Sequence, residues 1–329
     1  MRTSYAQVSL ADVVEVAGGR EHVVARDGSG QVWAWGDNAK GAVGNGSSVD
    51  QLTPVRLTTL ANVLAVGAGH YHSLALMSDR TVRAWGANSL GQLGDGTLTK
   101  RKTPVRVSGL ADVRQLDGGR DMTYAVLMDG SVRAWGNNVN GELGDGTTIR
   151  RTTPVTVVGL GQVTMVAAGR NHGIALRSDG TVWTWGLNKS GQLGDGTRTT
   201  RRLPQQVSGI TGAVAVAASA DTSAVVLGDG SVRTWGEGGR GQLGSGSTAD
   251  RLRPGTVGTL PAVAVLDSGR DHLLAVTRTG ELWAWGFNDF GQLGDGTRTN
   301  RRTPVRIAGL TGVVMAAGGR GYSAVVATG

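Results

Sequence analysis

The chain repeats itself every fifty residues, and no other feature restricts its fold so tightly. Trp-Gly pairs stand at Trp35-Gly36, Trp85-Gly86, Trp135-Gly136, Trp185-Gly186, Trp235-Gly236 and Trp285-Gly286. Behind each runs a Gly-x-x-Gly-x-Gly block opening at Gly41, Gly91, Gly141, Gly191, Gly241 and Gly291. A proline then follows at Pro54, Pro104, Pro154, Pro204, Pro254 and Pro304. Length alone would suggest two domains. A repeat array folds as one body, so residues 1–329 are expected to form a single β-propeller domain.

Within a unit the pattern is that of strands. Val163–Ala167 and His172–Arg177 are short apolar runs, the second ended by the hairpin signal Ser178-Asp179-Gly180. Val182–Trp185 alternates, and Pro204–Val207 opens on a proline, as an edge strand does. Four strands per fifty residues make one propeller blade. Small residues recur in the second strand at Ala25, Ala75, Ala125, Ala175 and Ala275, where blades converge on an axis. The tryptophan ending the third strand lies further out and fills the widening wedge between blades. The first-strand motif occurs seven times, ending at Gly19, Gly69, Gly119, Gly169, Ser219, Gly269 and Gly319. The expected fold is therefore all-β, a seven-bladed β-propeller with its ring closed by N- and C-terminal segments in the last blade. Residues 2–10 resemble the stretch before each first strand and would supply the outer part of that blade, giving it three strands or four.

Composition removes several function classes. With no cysteine there are no disulfides and no thiolate metal site. The five histidines lack metal-ligand spacing, and no metal or other cofactor is expected. No apolar run reaches the roughly 20 residues of a membrane helix. Met1-Arg2-Thr3-Ser4-Tyr5 lacks the apolar core of a signal peptide, so a cytoplasmic protein is expected, or a secreted one if a leader has been removed. The net charge is +8, from 33 Lys+Arg against 25 Asp+Glu.

Ala17-Gly18-Gly19-Arg20-Glu21-His22 and Trp185-Gly186-Leu187-Asn188 with Gly191-Gln192-Leu193-Gly194-Asp195-Gly196 resemble the regulator of chromosome condensation repeat, over essentially the whole chain. Kelch units have a similar length but lack the Gly-Gln-Leu-Gly block. The resemblance implies seven blades. Its namesake is a nucleotide exchange factor for a small GTPase that also docks on chromatin, using a β-wedge inserted in one blade. No period here exceeds fifty, which leaves that wedge no place. A plant photoreceptor of this fold absorbs through tryptophans at positions that here hold Arg20, His70, Arg120, Arg170, Ala220, Arg270 and Arg320, so photoreception is excluded. Fold alone does not fix function.

Those same positions, in the loop after each first strand, gather Arg20, His70, Arg120, Arg170, Arg270 and Arg320 around the axis. The loops after the third strands add arginines nearer the rim, Arg201 and Arg202 among them. The opposite face should carry Asp79, Asp129, Asp179 and Asp229 from hairpin turns, with Asp12 and Asp112. One positive face would suit an acidic protein, a nucleic-acid backbone or a small anion. The competing reading has the rim arginines pairing with Asp95, Asp145, Asp195 and Asp295 merely to keep the surface soluble. The ring arginines, clustered and alike in sign, would repel unless something binds them. The next position varies through Glu21, Tyr71, Asp121, Asn171, Asp221, Asp271 and Gly321, either to fit a partner or by drift. The motif histidines His22, His72, His172 and His272 should bond backbone within their own blades.

These features point first to a non-catalytic protein-interaction module. It would bind an acidic partner through Arg20, His70, Tyr71, Arg120, Arg170, Arg270 and Arg320, with Arg201 and Arg202 at the rim. A second reading is an enzyme of the lyase or cyclase type, using Glu21, His70, Asp121 and Asp271 at the channel mouth. A third is nucleic-acid backbone binding, although the basic loops hold no aromatic residue for base stacking. A small anionic ligand fits the mouth as well.

Overall fold

The computed structural model describes residues 4–328 and holds no helix among them. Each complete repeat forms one four-stranded antiparallel sheet, giving six blades, I to VI. Blade I consists of Val13–Gly18, His22–Asp27, Val32–Gly36 and Gln51–Arg56. Blades II to VI repeat it and begin at Val63, Val113, Val163, Ala213 and Val263. In blade IV the fourth strand is Arg201–Gln206, three residues earlier than Pro204 suggests. Proline lies inside the strand because a bulge between Thr184 and Gly186 relaxes the ladder beside it.

The expectation of seven blades is corrected here. Among the described residues the blades number six, and the sector between blades VI and I holds a sheet of two strands, Val313–Gly318 and Ser323–Ala327. Nor do the described residues of the N-terminal segment close the ring as a strand, since among them no strand precedes Val13. Residues 4–10 match the outermost strand of a blade. Such a strand has nothing to pair with unless a third strand stands between it and the second. The part of that expectation that falls on residues 2 and 3 lies outside the described residues.

The segment contributes in another way. At five junctions a fully buried tryptophan fills the wedge: Trp85, Trp135, Trp185, Trp235 and Trp285. Each indole Nε1 donates across the junction, to the carbonyls of Ala42, Gln92, Glu142, Gln192 and Gln242, at 2.8–3.0 Å. Burying one such ring contributes about 2–3 kcal/mol. The preceding blade yields space through glycine: at Gly94 (φ +67°) a β-carbon would lie 2.7 Å from Trp135 Nε1. After blade VI the side chain of Tyr5 takes the tryptophan's place, packed over Gly294 and against the buried cluster that holds Leu293 and Ile307.

The motif histidines join neighbouring blades, which corrects the expectation that they bond within their own. His22, His72, His172 and His272 are buried, and their Nε2 atoms lie 2.9 Å from Ser73 Oγ, Thr123 Oγ1, Ser223 Oγ and Ser323 Oγ in the next sheet. Each hydroxyl in turn donates to a carbonyl of the preceding glycine block, as Ser73 does to Ala42 at 2.7 Å.

Candidate functional site

The inner loops form a collar. Arg20, His70, Arg120, Arg170, Ala220, Arg270 and Arg320 surround an axial opening of about 80 Å³, with the pairs of Gly, Ala or Ser before them as its wall. The repeat places these side chains because every first strand ends in two residues small enough to let seven loops meet. The collar is tied by backbone hydrogen bonds running from loop to loop. Arg20 N donates to His70 O at 3.0 Å, Arg170 N to Ala220 O at 2.9 Å and Ala220 N to Arg270 O at 3.0 Å.

The five collar arginines are not bare cations. Arg20 lies 3.6 Å from Glu21 and Arg320 3.1 Å from the same carboxylate. Arg120 pairs with Asp121 at 3.3 Å, Arg170 with Asp221 at 3.7 Å and Arg270 with Asp271 at 3.2 Å. Mutual repulsion is thereby relieved within the protein, so an uncompensated ring does not exist. Arg20 also stacks over Tyr71, its guanidinium carbon 5.1 Å from the ring centroid. Burial raises the pKa of Asp121, Asp221 and Asp271, and the adjacent arginines work against that rise.

The variable position answers to blade contacts. Gln92 Nε2 donates to Asp121 Oδ1 at 3.3 Å, and Gln192 Nε2 to Asp221 Oδ1 at 2.9 Å. At the equivalent junction the roles exchange: Asn171 Nδ2 donates to Glu142 Oε1 at 3.2 Å. Where the glutamine becomes a glutamate, the facing aspartate becomes an asparagine.

His70 sits among cations. Burial, and then the charges of Arg120, Arg20, Arg170 and Arg270, push its pKa down to about 3. It stands edge-on to Tyr71, ring centroids 6.1 Å apart, and no hydrogen bond joins its ring to Glu21, Asp121 or Asp271. The proposed acid–base set is thus near one opening but already engaged in pairs with arginine.

At the rim Arg201 is bound to Asp195 at 3.0 Å, and Arg101, Arg151 and Arg301 bind Asp95, Asp145 and Asp295 in the same way. Arg202 is exposed, and neither it nor Arg201 lines the axial opening. The hairpin aspartates cap their own turns, Asp79 accepting from Thr81 N at 3.0 Å. Those hydrogen bonds lower the Asp79 pKa.

Two inner carboxylates escaped the sequence reading. Asp117 Oδ2 accepts from Ala168 N at 2.8 Å and Asp267 Oδ1 from Gly318 N at 3.1 Å, bridging to the next sheet. Burial pushes their pKa values up to about 7 and about 6. The available signal was their position, which holds Ala17, Gly67, Ala167, Ala217 and Ala317 in the other copies.

The family described as RCC1-like domain matches residues 2–325. The chain belongs to that family. No curated protein sequence matches it. Human WBSCR16, an RCC1-type neighbour in structure, superposes with a TM-score of 0.89 at 25% identity, covering 99% of this chain and 90% of its own. Prp20p from Saccharomyces cerevisiae, studied for its binding to Gsp1p and histones, has a TM-score of 0.86 at 26% identity, covering 96% and 82%. A second structure, yeast RCC1 (Prp20) bound by Kap60, reaches 0.86 at 24% identity, covering 97% and 81%, and supports the fold. In this RCC1-like chain no group of three or more His, Cys, Asp or Glu is placed to hold a metal, among the described residues. Among the described residues no helix is long and apolar enough to cross a membrane.

Proposed function

We propose that this RCC1-like propeller is a protein-interaction module that engages an acidic partner at the axial collar. Membership of a family in which Prp20p binds Gsp1p and histones supports a protein partner. The observation that carries the finer reading is the collar itself: five arginines, held by neighbours yet still partly exposed, around one opening. Their carboxylate partners hold the guanidinium groups in place before binding, which reduces the ordering cost of association. A partner's carboxylates would exchange with Glu21, Asp121, Asp221 and Asp271 for the same donors. The depressed pKa of His70 argues against it as a general base, because a group of that pKa takes up a proton weakly near neutrality. A cytoplasmic setting remains part of this proposal.

The test compares capture of protein partners from the native host by the parent and by Arg120→Ala/Arg170→Ala. Each recovered partner is then purified and titrated. The reading stands if the double variant, still folded by circular dichroism, loses at least tenfold in affinity. It falls if affinity is unchanged.

A further inference from the structure

Two asymmetries of the collar fall in the same blade. Ala220 leaves a gap between Arg170 and Arg270, and the residue before it is Ser219 where the six other copies have glycine. Thr222, standing in the place of a histidine, makes the room: at Gly169 a β-carbon would lie 2.1 Å from His172 Cε1. Ser219 is 5% exposed and lines the axial opening, and its Oγ has no hydrogen-bond partner among the described residues. A buried hydroxyl without a partner is rare in folded proteins, because its lost hydration goes uncompensated.

The wall beneath the gap offers donors alone. Ser219 N donates to Thr222 O at 2.9 Å, which sets the register of the first two strands of blade V. Antiparallel alternation then turns the amide and carbonyl of Ala218 toward the axis. That carbonyl is taken by Ser268 Oγ at 2.7 Å. The amide is not covered as its counterparts are. Asp117 covers that of Ala168 at 2.8 Å and Asp267 that of Gly318 at 3.1 Å. The residue placed to cover Ala218 is Ala167, which has no oxygen to offer. Two of the chain's own carboxylates thus show what kind of group these amides hold. Above them five arginines stand against four carboxylates, Glu21, Asp121, Asp221 and Asp271, leaving one positive charge in excess.

We propose that the axial opening binds a single carboxylate, its oxygens on Ser219 Oγ and Ala218 N and its charge toward Arg170 and Arg270. A wall of donors selects a group that only accepts, which an ionised carboxylate is and an amide or alcohol is not. An opening of about 80 Å³ is far below the roughly 300 Å³ at which pockets begin to enclose whole organic ligands, so it takes the carboxylate and little more. One excess positive charge matches a monoanion. The charge of Asp117 and of Asp267 is already answered by two amides each, those of Ala168 and Gly118 and those of Gly318 and Ser268. The carboxylate can belong to a small acid or to a side chain of a bound protein, since the site presents the same chemistry to both. It stands apart from the protein-partner reading, because a free acid tests it.

The test titrates the whole isotope-labelled protein with formate at constant ionic strength and follows the amide chemical shifts. Saturable one-to-one shifts at Ala218 and Ser219 are expected, with none from chloride. Ser219→Gly should weaken formate at least fivefold. Ala167→Asp should abolish its binding, by placing on Ala218 N the carboxylate that Asp117 places on Ala168 N. Arg106→Gln removes an equal charge from an exposed site outside the opening and should change nothing. Should Ala167→Asp fail to fold, Ser219→Gly decides, because the ring already accommodates glycine at that position in six copies. A second titration, with a short peptide bearing one aspartate, assigns the source. Saturation at the same amides shows that a protein side chain reaches the opening, and silence there while formate binds restricts the site to small free acids. Lack of saturable shifts at Ala218 and Ser219, or shifts that Ser219→Gly leaves intact, overturns the proposal. Partner affinity that survives loss of the collar arginines, with formate still bound by the parent, would fell the partner reading and leave this one standing.

Discussion

The backbone amide of Arg320 donates to the carbonyl of Arg20 at 2.9 Å, joining the last sheet to the first blade. It is the same bond that links Arg170 to Ala220 and Arg20 to His70. The ring is therefore fastened at its axis, where loops touch, and needs no shared strand at its rim. Tyr322 reinforces the joint. It stands where four of the other six copies have histidine, and its hydroxyl donates to Gly19 O at 3.0 Å and also to His22 O.

Tyr322→Phe should therefore loosen the joint without disturbing packing. Its loss is expected to cost about 1–3 kcal/mol, the range for leaving a buried carbonyl unpaired. Urea unfolding measures it. An unchanged midpoint would show that the inner loops close the ring without this hydroxyl.

Tyr5→Ala removes the plug of the sixth wedge. A cavity of that kind costs about 2–4 kcal/mol for an aromatic side chain that is not completely enclosed. Deleting residues 1–10 should cost at least as much, since it uncovers the wedge as well as emptying it. Thermal unfolding of both variants checks the order.

Most of the propeller could be read from spacing, because Trp85, Gly94 and Pro104 recur with a period that only a blade explains. Strand ends followed within a residue or so, except at Arg201–Gln206, where a bulge shifts the ladder. The last sector was misjudged because residue similarity shows what a segment resembles and not whether its pairing partner exists. Tyr5 resembles a fourth-strand residue, Val55, yet does the work of a tryptophan. The collar arginines were legible as positions. Their counter-ions were legible only as variation, since matching Gln92 with Asp121, or Glu142 with Asn171, requires knowing that residues 29 apart meet.

That matching makes a double-mutant cycle informative. Asn171→Asp alone places a carboxylate against Glu142 and should destabilise the protein by about 1–3 kcal/mol. Adding Glu142→Gln restores the arrangement of Gln192 with Asp221 and should recover most of the loss. Independent, additive effects would mean that the exchange is coincidental.

Stability should fall on acidification. His22 and His272 have pKa values lowered to about 4, and His72, His172 and His70 to about 3, chiefly by burial. The unfolded chain takes up protons on these rings below about pH 6.5 while the folded chain does not, so stability drops as pH falls from there toward 4. Asp117 and Asp267 act in the opposite sense. Their folded pKa values lie above the unfolded one, so they favour the native state at low pH and lose that contribution as pH rises through about 6 to 7. Asp121, Asp221 and Asp271, also raised by burial, act in the same sense as these two, but arginines oppose their rise; the five imidazoles outweigh them, and the net slope between pH 4 and 6 should be positive. Urea midpoints across that range that stay flat or rise on acidification would contradict it.

The collar and the rim make different demands on a partner, and one set of variants separates them. Arg201 is tied to Asp195 on a partly exposed surface, where such pairs contribute about 0–1 kcal/mol. Arg201→Ala should leave both stability and affinity almost unchanged. Arg202 is exposed, so Arg202→Glu should slow association with an acidic partner at low salt and leave dissociation alone, as rim charges do. The collar should behave in the reverse way. Arg120→Ala/Arg170→Ala removes donors that face the axial opening, and the expected result is faster dissociation with a shallower dependence of affinity on salt. The same variant strips Asp121 and Asp221 of their counter-ions, so stability must be measured beside affinity. Asp121→Asn is the control: it loosens Arg120 without deleting it and should preserve binding. If Arg202→Glu accounts for the whole salt dependence and the double arginine variant dissociates like the parent, the partner sits on the rim and the collar is only the lock of the ring.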